Sequence, residues 1–158
     1  MDADYAGCLD DRKSTTGYVF LFNGNPISWK TQKQSIVAQS TTEAEYIGLV
    51  TVSREMIWLR GILEDLGHPQ EGPTIIREDN IGAIHLTRNP VFHQRTKHID
   101  VRYHLVRDYI ERNLLEVEYC ETNNMLADFF TKALPKAKFQ QLRNKINIWK
   151  RWGDLLDM

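Results

Sequence analysis

The feature that most constrains this chain is a helical pattern that runs from about Thr42 to Leu66. Positions 45, 49, 52, 56, 59, 63 and 66 are spaced alternately by four and three residues, which places them on one face of a helix. Apolar residues fill six of the seven positions: Leu49, Val52, Met56, Leu59, Leu63 and Leu66. The remaining position is Glu45. The pattern therefore predicts a long helix that packs one face against a core.

Glu45 is the exception on that apolar face. A carboxylate among core-facing residues is destabilising unless its charge is compensated. One interpretation is structural, because Thr42 and Glu45 match the S/T-x-x-E pattern of a capping box and acidic side chains favour a helix N-terminus. The other interpretation is that Glu45 faces a positively charged partner. Taken alone, the segment favours the cap.

The rest of the chain predicts short strands and helices. Residues 17–22 and 26–30 are strand-like and are joined through Asn23-Gly24, which is typical of a β-hairpin. Further strands are predicted at the N-terminus, at 73–79 and at 115–121, and further helices at 80–89, 97–112, 123–132 and 136–147. The predicted order is β-β-β-α-β-α-α-β-α-α, an α/β domain with a mixed sheet and helices packed on it.

Composition bounds the class of protein. A chain of 158 residues suits one domain with a real core, and a net charge of -1 means that any basic surface must be local. Cys8 and Cys120 cannot form a disulfide framework, so a reducing compartment is expected. The polar N-terminal segment is unlike a signal peptide, and no apolar run approaches the ~20 residues of a membrane span. An intracellular location, cytoplasm or nucleus, is expected, without a membrane partner.

Three more acids stand at the ends of predicted elements. Asp79 closes a predicted strand where a helix begins, Asp128 opens a predicted helix, and Asp2 precedes a turn. Each alone is typical of a cap or a solvated acid. Together with Glu45 they could converge on hard cations, because Mg²⁺ prefers oxygen ligands. Two such ions ~4 Å apart serve phosphodiester hydrolysis by activating water and stabilising the leaving oxygen.

Several motifs add a family resemblance. It is carried by the runs DADYAG, DRKSTTGYVF, ISWKTQKQSIVAQSTTEAEYIGL, EDNIGAI, RTKHIDVRYHLVRD and NMLADFFTKAL. In this order they resemble the RNase H domain of copia-type LTR-retrotransposon Pol polyproteins, in the reverse transcriptase/RNase H region. The resemblance implies an RNase H-like fold with a mixed five-stranded sheet over residues 1–147, followed by a C-terminal tail, 148–158. We expect that tail to pack or to have no role.

The resemblance also implies a site and a reaction. In RNase H domains four carboxylates bind two Mg²⁺ ions, with Mn²⁺ as a possible substitute, and the RNA strand of an RNA–DNA hybrid is hydrolysed. The resemblance places these carboxylates on Asp2, Glu45, Asp79 and Asp128. Many cellular RNases H have a histidine in the loop before the last acid, whereas the corresponding YCETNNML has none. We therefore expect slower or differently assisted product release and the same reaction.

Neighbouring acids are weaker candidates. Asp4 is a possible substitute for Asp2, and Glu43 a weaker one for Glu45, since Glu43 falls off the helical face. Glu78 stands beside Asp79, and strand alternation is expected to send its side chain to the opposite face. Glu78 is therefore not expected to be a ligand.

Residues 93–107 form the local basic patch. Its candidate phosphate contacts are Arg95, Lys97, Arg102 and Arg107. Replacement of Arg95 and Lys97 with Ala is expected to weaken hybrid binding and to flatten its salt dependence. Ser40 and Thr41, before the long helix, are candidate contacts to sugar or phosphate. Both sets have plainer interpretations, as a solvated helix face and as helix caps. A zinc site at the histidines of this patch is disfavoured, because no cysteine lies nearby.

Two expectations concern the chain as a whole. In RNase H domains several strand residues precede the first aspartate, whereas only Met1 precedes Asp2, so the first strand is expected to be truncated at its N-terminus. A form extended by about five to eight strand residues is expected to be more stable and more active. The competing interpretation is a non-catalytic retroelement-derived fragment that binds nucleic acid or a host protein, or has no function.

Overall fold

The computed structural model describes residues 1–88 and 97–147, with the backbone alone for residues 97–103. Within these ranges the strands are β1 (Asp2–Asp4), β2 (Thr15–Phe22), β3 (Asn25–Lys33), β4 (Thr74–Glu78) and β5 (Leu115–Tyr119). The α-helices are α1 (Thr41–Asp65), α2 (Ile81–Arg88), α3 (Lys97–Glu111) and α4 (Lys136–Lys145). Two 3₁₀ segments, Thr122–Asn124 and Leu126–Phe130, connect β5 to α4. The α/β class is confirmed.

The strands form two hydrogen-bonded sheets in the described residues. β1, β2 and β3 are antiparallel, and the predicted hairpin turns at Asn23 and Gly24, which both have positive φ. β4 and β5 form a separate parallel pair. The five predicted strands are present, but they form two sheets, so the prediction of one continuous five-stranded sheet is wrong. β1 is only three residues long, and the Met1 amino group, just before it, donates a hydrogen bond of 2.7 Å to the Arg77 carbonyl of β4.

Helix α1 supplies the centre of the core, as its apolar face predicted. Leu49, Val52 and Met56 are buried and belong to one cluster with Ile76 of β4 and Val117 of β5. The helix thus covers residues from the parallel strand pair. Each end of the helix lies within one residue of the predicted end. Leu66, predicted on the apolar face, lies just beyond the helix and is 68% exposed.

The N-terminus of α1 differs from the prediction. The N-cap is Ser40, whose hydroxyl accepts a hydrogen bond from the Glu43 backbone N–H at 3.1 Å. The Glu43 carboxylate reaches back and accepts from the Gln39 N–H at 2.7 Å. The capping box predicted for Thr42 and Glu45 is therefore wrong, since Ser40 and Glu43 satisfy the first turn. Glu45 therefore does not cap the helix. Its side chain is buried instead, with 6% of the residue exposed.

The segment that carries Asp128 is not the predicted α-helix 123–132. Asp128 lies in the second 3₁₀ segment, which packs on β2 at Gly17. A Cβ at Gly17 would lie 2.7 Å from side-chain atoms of both Phe130 and Thr131, so the glycine is what permits this approach. Gly17 is also the partner of Asp2 in the β1–β2 ladder. The packing therefore brings the Asp128 segment beside β1.

Some predictions fall outside this description. Arg95 and the C-terminal tail 148–158 lie outside the described residues, as does His93 of the disfavoured zinc site. Within residues 1–88 and 97–147, none of the helices has both the length and the apolar character that crossing a bilayer requires.

Candidate metal and catalytic site

Three carboxylates meet where β1, α1 and β4 come together. Asp2 is the first residue of β1, Glu45 lies in the second turn of α1, and Asp79 directly follows β4. One carboxylate oxygen from each residue lies within 4.8 Å of the others. The strand contact that Met1 makes with Arg77 places the start of β1 beside the end of β4. We call Asp2, Glu45 and Asp79 the acidic cluster.

Asp2 is held in place on both of its oxygens. Its Oδ2 accepts a hydrogen bond from the Thr131 hydroxyl, and its Oδ1 lies 3.5 Å from the Lys132 ammonium. Burial raises the pKa of Asp2 above its ordinary value, although Thr131 and Lys132 oppose that shift. Asp2 is buried, with 3% of the residue exposed. The backbone of β1 and the contacts with Thr131 and Lys132 together fix its position.

Glu45 is the most perturbed member of the acidic cluster. Burial raises its pKa to about 10, and the nearby charges of Glu78 and Asp2 add to the effect. A backbone hydrogen bond from Ala3 acts in the opposite direction but does not compensate. The second oxygen, Oε2, is buried and has no hydrogen-bond partner among the residues that the structure describes. Without a bound cation, this carboxyl therefore holds its proton at neutral pH.

Asp79 is oriented by a neighbour from the first 3₁₀ segment. Its Oδ2 accepts a hydrogen bond of 2.8 Å from the Thr122 hydroxyl. The next residue, Asn80, caps α2 by accepting from the Ala83 N–H at 3.0 Å, and it contacts the Thr42 hydroxyl at 3.3 Å. These bonds fix the turn after β4 between α1 and the 3₁₀ segment, which holds Asp79 toward the cluster.

Asp128 lies beside the acidic cluster and is not a member of it. The carboxylate is fully buried, and its Oδ1 lies 2.9 Å from the Lys132 ammonium. Its Oδ2 lies 2.5 Å from the ammonium of Lys138 on α4. Because Lys132 also contacts Asp2, it bridges Asp128 to the cluster. Burial lowers the pKa of Lys132, but Asp128 and Asp2 outweigh it and the pKa rises above its ordinary value.

Glu78 is a buried acid that sequence reasoning did not include in the site. It is fully buried, and its Oε1 accepts from the Asn80 N–H at 3.0 Å, while Oε2 has no hydrogen-bond partner in the described ranges 1–88 and 97–147. Burial raises its pKa to about 7, and the Met1 amino group partly opposes the shift. Glu78 is not in the acidic cluster, yet its charge acts on Glu45. The sequence does contain a signal for this burial, because Glu78 is two residues after Ile76 and so lies on the same, inward face of β4.

The substitute acids lie elsewhere. Glu43 serves the helix cap, and the carboxylate of Asp4 lies against Gly7, where an added Cβ would meet Asp4 Oδ2 at 1.8 Å. Neither belongs to the acidic cluster.

The nucleic-acid candidates have mixed outcomes. The Ser40 hydroxyl caps α1, and Thr41 is the exposed first residue of that helix. Arg107 donates a hydrogen bond of 3.2 Å to the Leu86 carbonyl and so ties α3 to α2. Lys97 and Arg102 lie in α3, for which only the backbone is described at these positions. Phosphate contact by these residues stays a prediction.

Sequence reasoning did not identify a second basic surface. Lys30 and Lys33 of β3 and Arg54 of α1 line a groove of about 380 Å³ between the hairpin and the helix. The groove also contains Gln32, Ser35 and one acid, Glu55, and Lys33 lies 3.5 Å from Asp11. Arg54 is distant in the sequence from Lys30 and Lys33, so only the packing of the hairpin on α1 brings it beside them.

Comparison with known proteins identifies homologues. The chain is 45% identical over 148 residues (93% of this chain, 11% of the relative) to the retrovirus-related Pol polyprotein from transposon TNT 1-94 of Nicotiana tabacum. It is 43% identical over 147 residues (93% and 10%) to the corresponding polyprotein from transposon RE1 of Arabidopsis thaliana. It is 32% identical over 146 residues (91% and 8%) to the transposon Ty1-DR1 Gag-Pol polyprotein of Saccharomyces cerevisiae.

These comparisons show that the chain is homologous to a segment of copia/Ty1 Pol polyproteins. It spans about a tenth of the length of the curated relatives it matches. No protein-family model and no solved structure matches the chain.

Proposed function

We propose that this segment is an RNase H-type nuclease domain of copia-type origin, which hydrolyses the RNA strand of RNA–DNA hybrids with two Mg²⁺ ions. The observation that carries the proposal is the acidic cluster, in which Asp2, Glu45 and Asp79 come from three separate elements. Homology to Pol polyproteins supports it, because it agrees with the resemblance that the motifs carry. Asp128, linked through Lys132, supplies the proposed fourth carboxylate.

The residues present fit a divalent cation. All three members of the cluster offer carboxylate oxygens, the ligand type that Mg²⁺ and Mn²⁺ prefer. Among the described residues, the buried Oε2 of Glu45 has no hydrogen-bond partner, so it has capacity for a ligand bond. Burial and like charge raise the pKa of Glu45, and a nearby divalent cation would oppose both effects by favouring the ionised carboxylate. A cation therefore offsets the free-energy penalty of placing these carboxylates together.

The chain's own residues position the site. Thr122 orients Asp79, Thr131 orients Asp2, and the backbone of α1 fixes Glu45. When bound at such a site, Mg²⁺ lowers the pKa of the attacking water and neutralises charge on the leaving 3′ oxygen. Held in this way, the ligands lose little freedom when a cation binds.

Substrate binding is assigned to the basic surfaces. Lys30, Lys33 and Arg54 line the groove beside α1, and lysine and arginine side chains pair with phosphates in a salt-dependent manner. The basic segment 93–107 is the second proposed phosphate contact, as its charges predict.

The decisive experiment is cleavage of a labelled RNA–DNA hybrid in Mg²⁺. Glu45→Gln and Asp79→Asn are expected to lower the rate at least about 100-fold, because even residues that only support metal ligands contribute 10- to 100-fold. The matched control is Glu64→Gln, an exposed acid on the same helix, which is expected to cleave at the wild-type rate. Hybrid binding without cleavage by the wild-type chain would instead establish the non-catalytic fragment.

A further inference from the structure

The Asp128 side of the site contains a lysine ammonium group, whereas the side formed by Glu45 and Asp79 does not in the described residues. On the Asp128 side, Lys132 lies 3.5 Å from Asp2 Oδ1 and 2.9 Å from Asp128 Oδ1. The ammonium group is thus placed between two carboxylates that the proposed function assigns to metal binding. In the described residues, no lysine or arginine forms an ion pair with Glu45 or Asp79.

Local structure fixes the position of Lys132. It is four residues after Asp128 and two beyond the end of the second 3₁₀ segment, and its backbone N–H donates to the Asp128 carbonyl at 3.3 Å. The short link keeps the ammonium within reach of Asp128. The side chain is nevertheless 40% exposed, so it can leave the site by rotating into solvent without disturbing the core.

Lys138 differs from Lys132 in the acids that its ammonium group contacts. Its ammonium contacts the other oxygen of Asp128 at 2.5 Å and the Thr122 carbonyl at 3.3 Å, and within the described part of the chain it forms no ion pair with Asp2. Its side chain is 24% exposed, less than that of Lys132. Lys138 therefore anchors Asp128 from α4, whereas Lys132 contacts both Asp128 and Asp2 of the acidic cluster.

We propose that Lys132 is an internal cation that occupies the Asp2–Asp128 side of the site and must move out before a divalent ion binds there. The inference rests on the proposed function, since it concerns the second of the two ions. The acidic cluster takes the first ion without displacing a lysine. The second ion competes with Lys132 for Asp2 and Asp128, so its affinity is lower and depends on this side chain.

The proposal is tested by counting bound Mn²⁺ with electron paramagnetic resonance and by calorimetric titration. The wild-type chain is expected to bind one ion tightly and a second more weakly. Lys132→Met is expected to tighten the second ion by about tenfold or more, in the range that neighbouring groups exert on metal affinity. Lys136→Met, at an exposed lysine of α4, is the control and is expected to match the wild type. Equal second-ion affinity in the wild type and Lys132→Met would overturn the proposal.

A measurement on the unaltered chain guards against a variant that does not fold. With ¹⁵N-labelled lysine, the Nζ resonance of Lys132 is expected to move toward that of a solvated ammonium at high Mg²⁺, while that of Lys138 changes less. A Lys132 resonance that stays constant up to saturating Mg²⁺ would also overturn the proposal.

Asp79→Asn separates this proposal from the proposed function. It removes a ligand of the first ion and leaves Lys132 and Asp128 unaltered, so it is expected to abolish tight Mn²⁺ binding. A wild-type chain without Mn²⁺ binding would overturn the metal site and this inference together. Asp79-dependent binding of two ions with equal affinity would overturn this inference alone.

Discussion

Asp128 and Glu45 are both buried carboxyls, but their charges are balanced in different ways. Asp128 has two lysines, one on each oxygen, whereas Glu45 has no ion pair among the residues that the structure describes. The pKa of Glu45 rises to about 10 because the carboxyl is buried and lies near the charges of Glu78 and Asp2. The difference teaches that burial alone does not set the charge of an acid. Lys132, four residues after Asp128, balances the charge of that acid, whereas Glu45 requires a proton or a metal ion.

The largest expected effect comes from removing the charge of Asp128. Asp128→Asn leaves the ammonium groups of Lys132 and Lys138 without their buried partner. We expect a loss of about 2–3 kcal/mol in the free energy of unfolding, less than the 3–5 of a fully buried pair because both lysines reach solvent. Urea denaturation at pH 7 measures it. Asp108→Asn, which breaks an exposed pair with Arg112, is the control and should change little. Equal effects of the two variants would break the comparison.

The opposite sign is expected for Glu45 in the absence of divalent ions. Because the pKa of Glu45 is raised in the folded state, the folded chain binds more protons than the unfolded chain between about pH 5 and 9. Stability therefore falls as pH rises through that window, and Glu78, with a pKa of about 7, contributes in its lower part. Glu45→Gln should flatten the fall and raise stability at pH 8 by on the order of 1–2 kcal/mol.

Thermal melts across pH 5–9, with and without Mg²⁺, check the pH prediction. Mg²⁺ should raise the Tm of the wild type at pH 8 and have little effect on Glu45→Gln. A wild-type chain whose stability does not change across this range would show that Glu45 is ionised in the folded state.

The smallest expected change in stability concerns Thr122. Thr122→Val removes the hydroxyl that donates to Asp79 and keeps the shape of the side chain. Divalent-ion affinity should weaken by about tenfold, as for other groups that orient a ligand, with less than about 1 kcal/mol lost in stability. Isothermal calorimetry with Mn²⁺ and thermal melts measure the two quantities. Thr51→Val, which loses a hydroxyl bonded to Ile47 within α1, is the matched control and should leave ion affinity unchanged.

Patterns with a short period predicted their elements well. The four-three spacing in α1 and the Asn23-Gly24 turn are local signals, since each depends on residues that are neighbours in the sequence. The strands β4 and β5 and the helix α3 were also confirmed. Glu45 could be placed in the core for the same reason, because a helical face is set by spacing alone.

Features that depend on distant contacts were not predicted. The Asp128 segment approaches Gly17, more than a hundred residues earlier, and a contact of that separation leaves no local pattern in the sequence. The cations Lys132 and Lys138 were missed because the sequence does not show which lysines point inward. The capping box was assigned two residues late because Thr42–Glu45 and Ser40–Glu43 match the same pattern.

The bond between Thr131 and Asp2 has a consequence for how the domain folds. The two residues are 129 positions apart, so their contact closes one of the longest loops that this chain can form. Loop closure of that length slows folding, and contacts of high sequence separation tend to form after local helices and hairpins. The hairpin and α1 can therefore assemble while Asp2 still lacks the partners that hold it. We therefore expect cation binding, which requires a fixed Asp2, to develop late in folding.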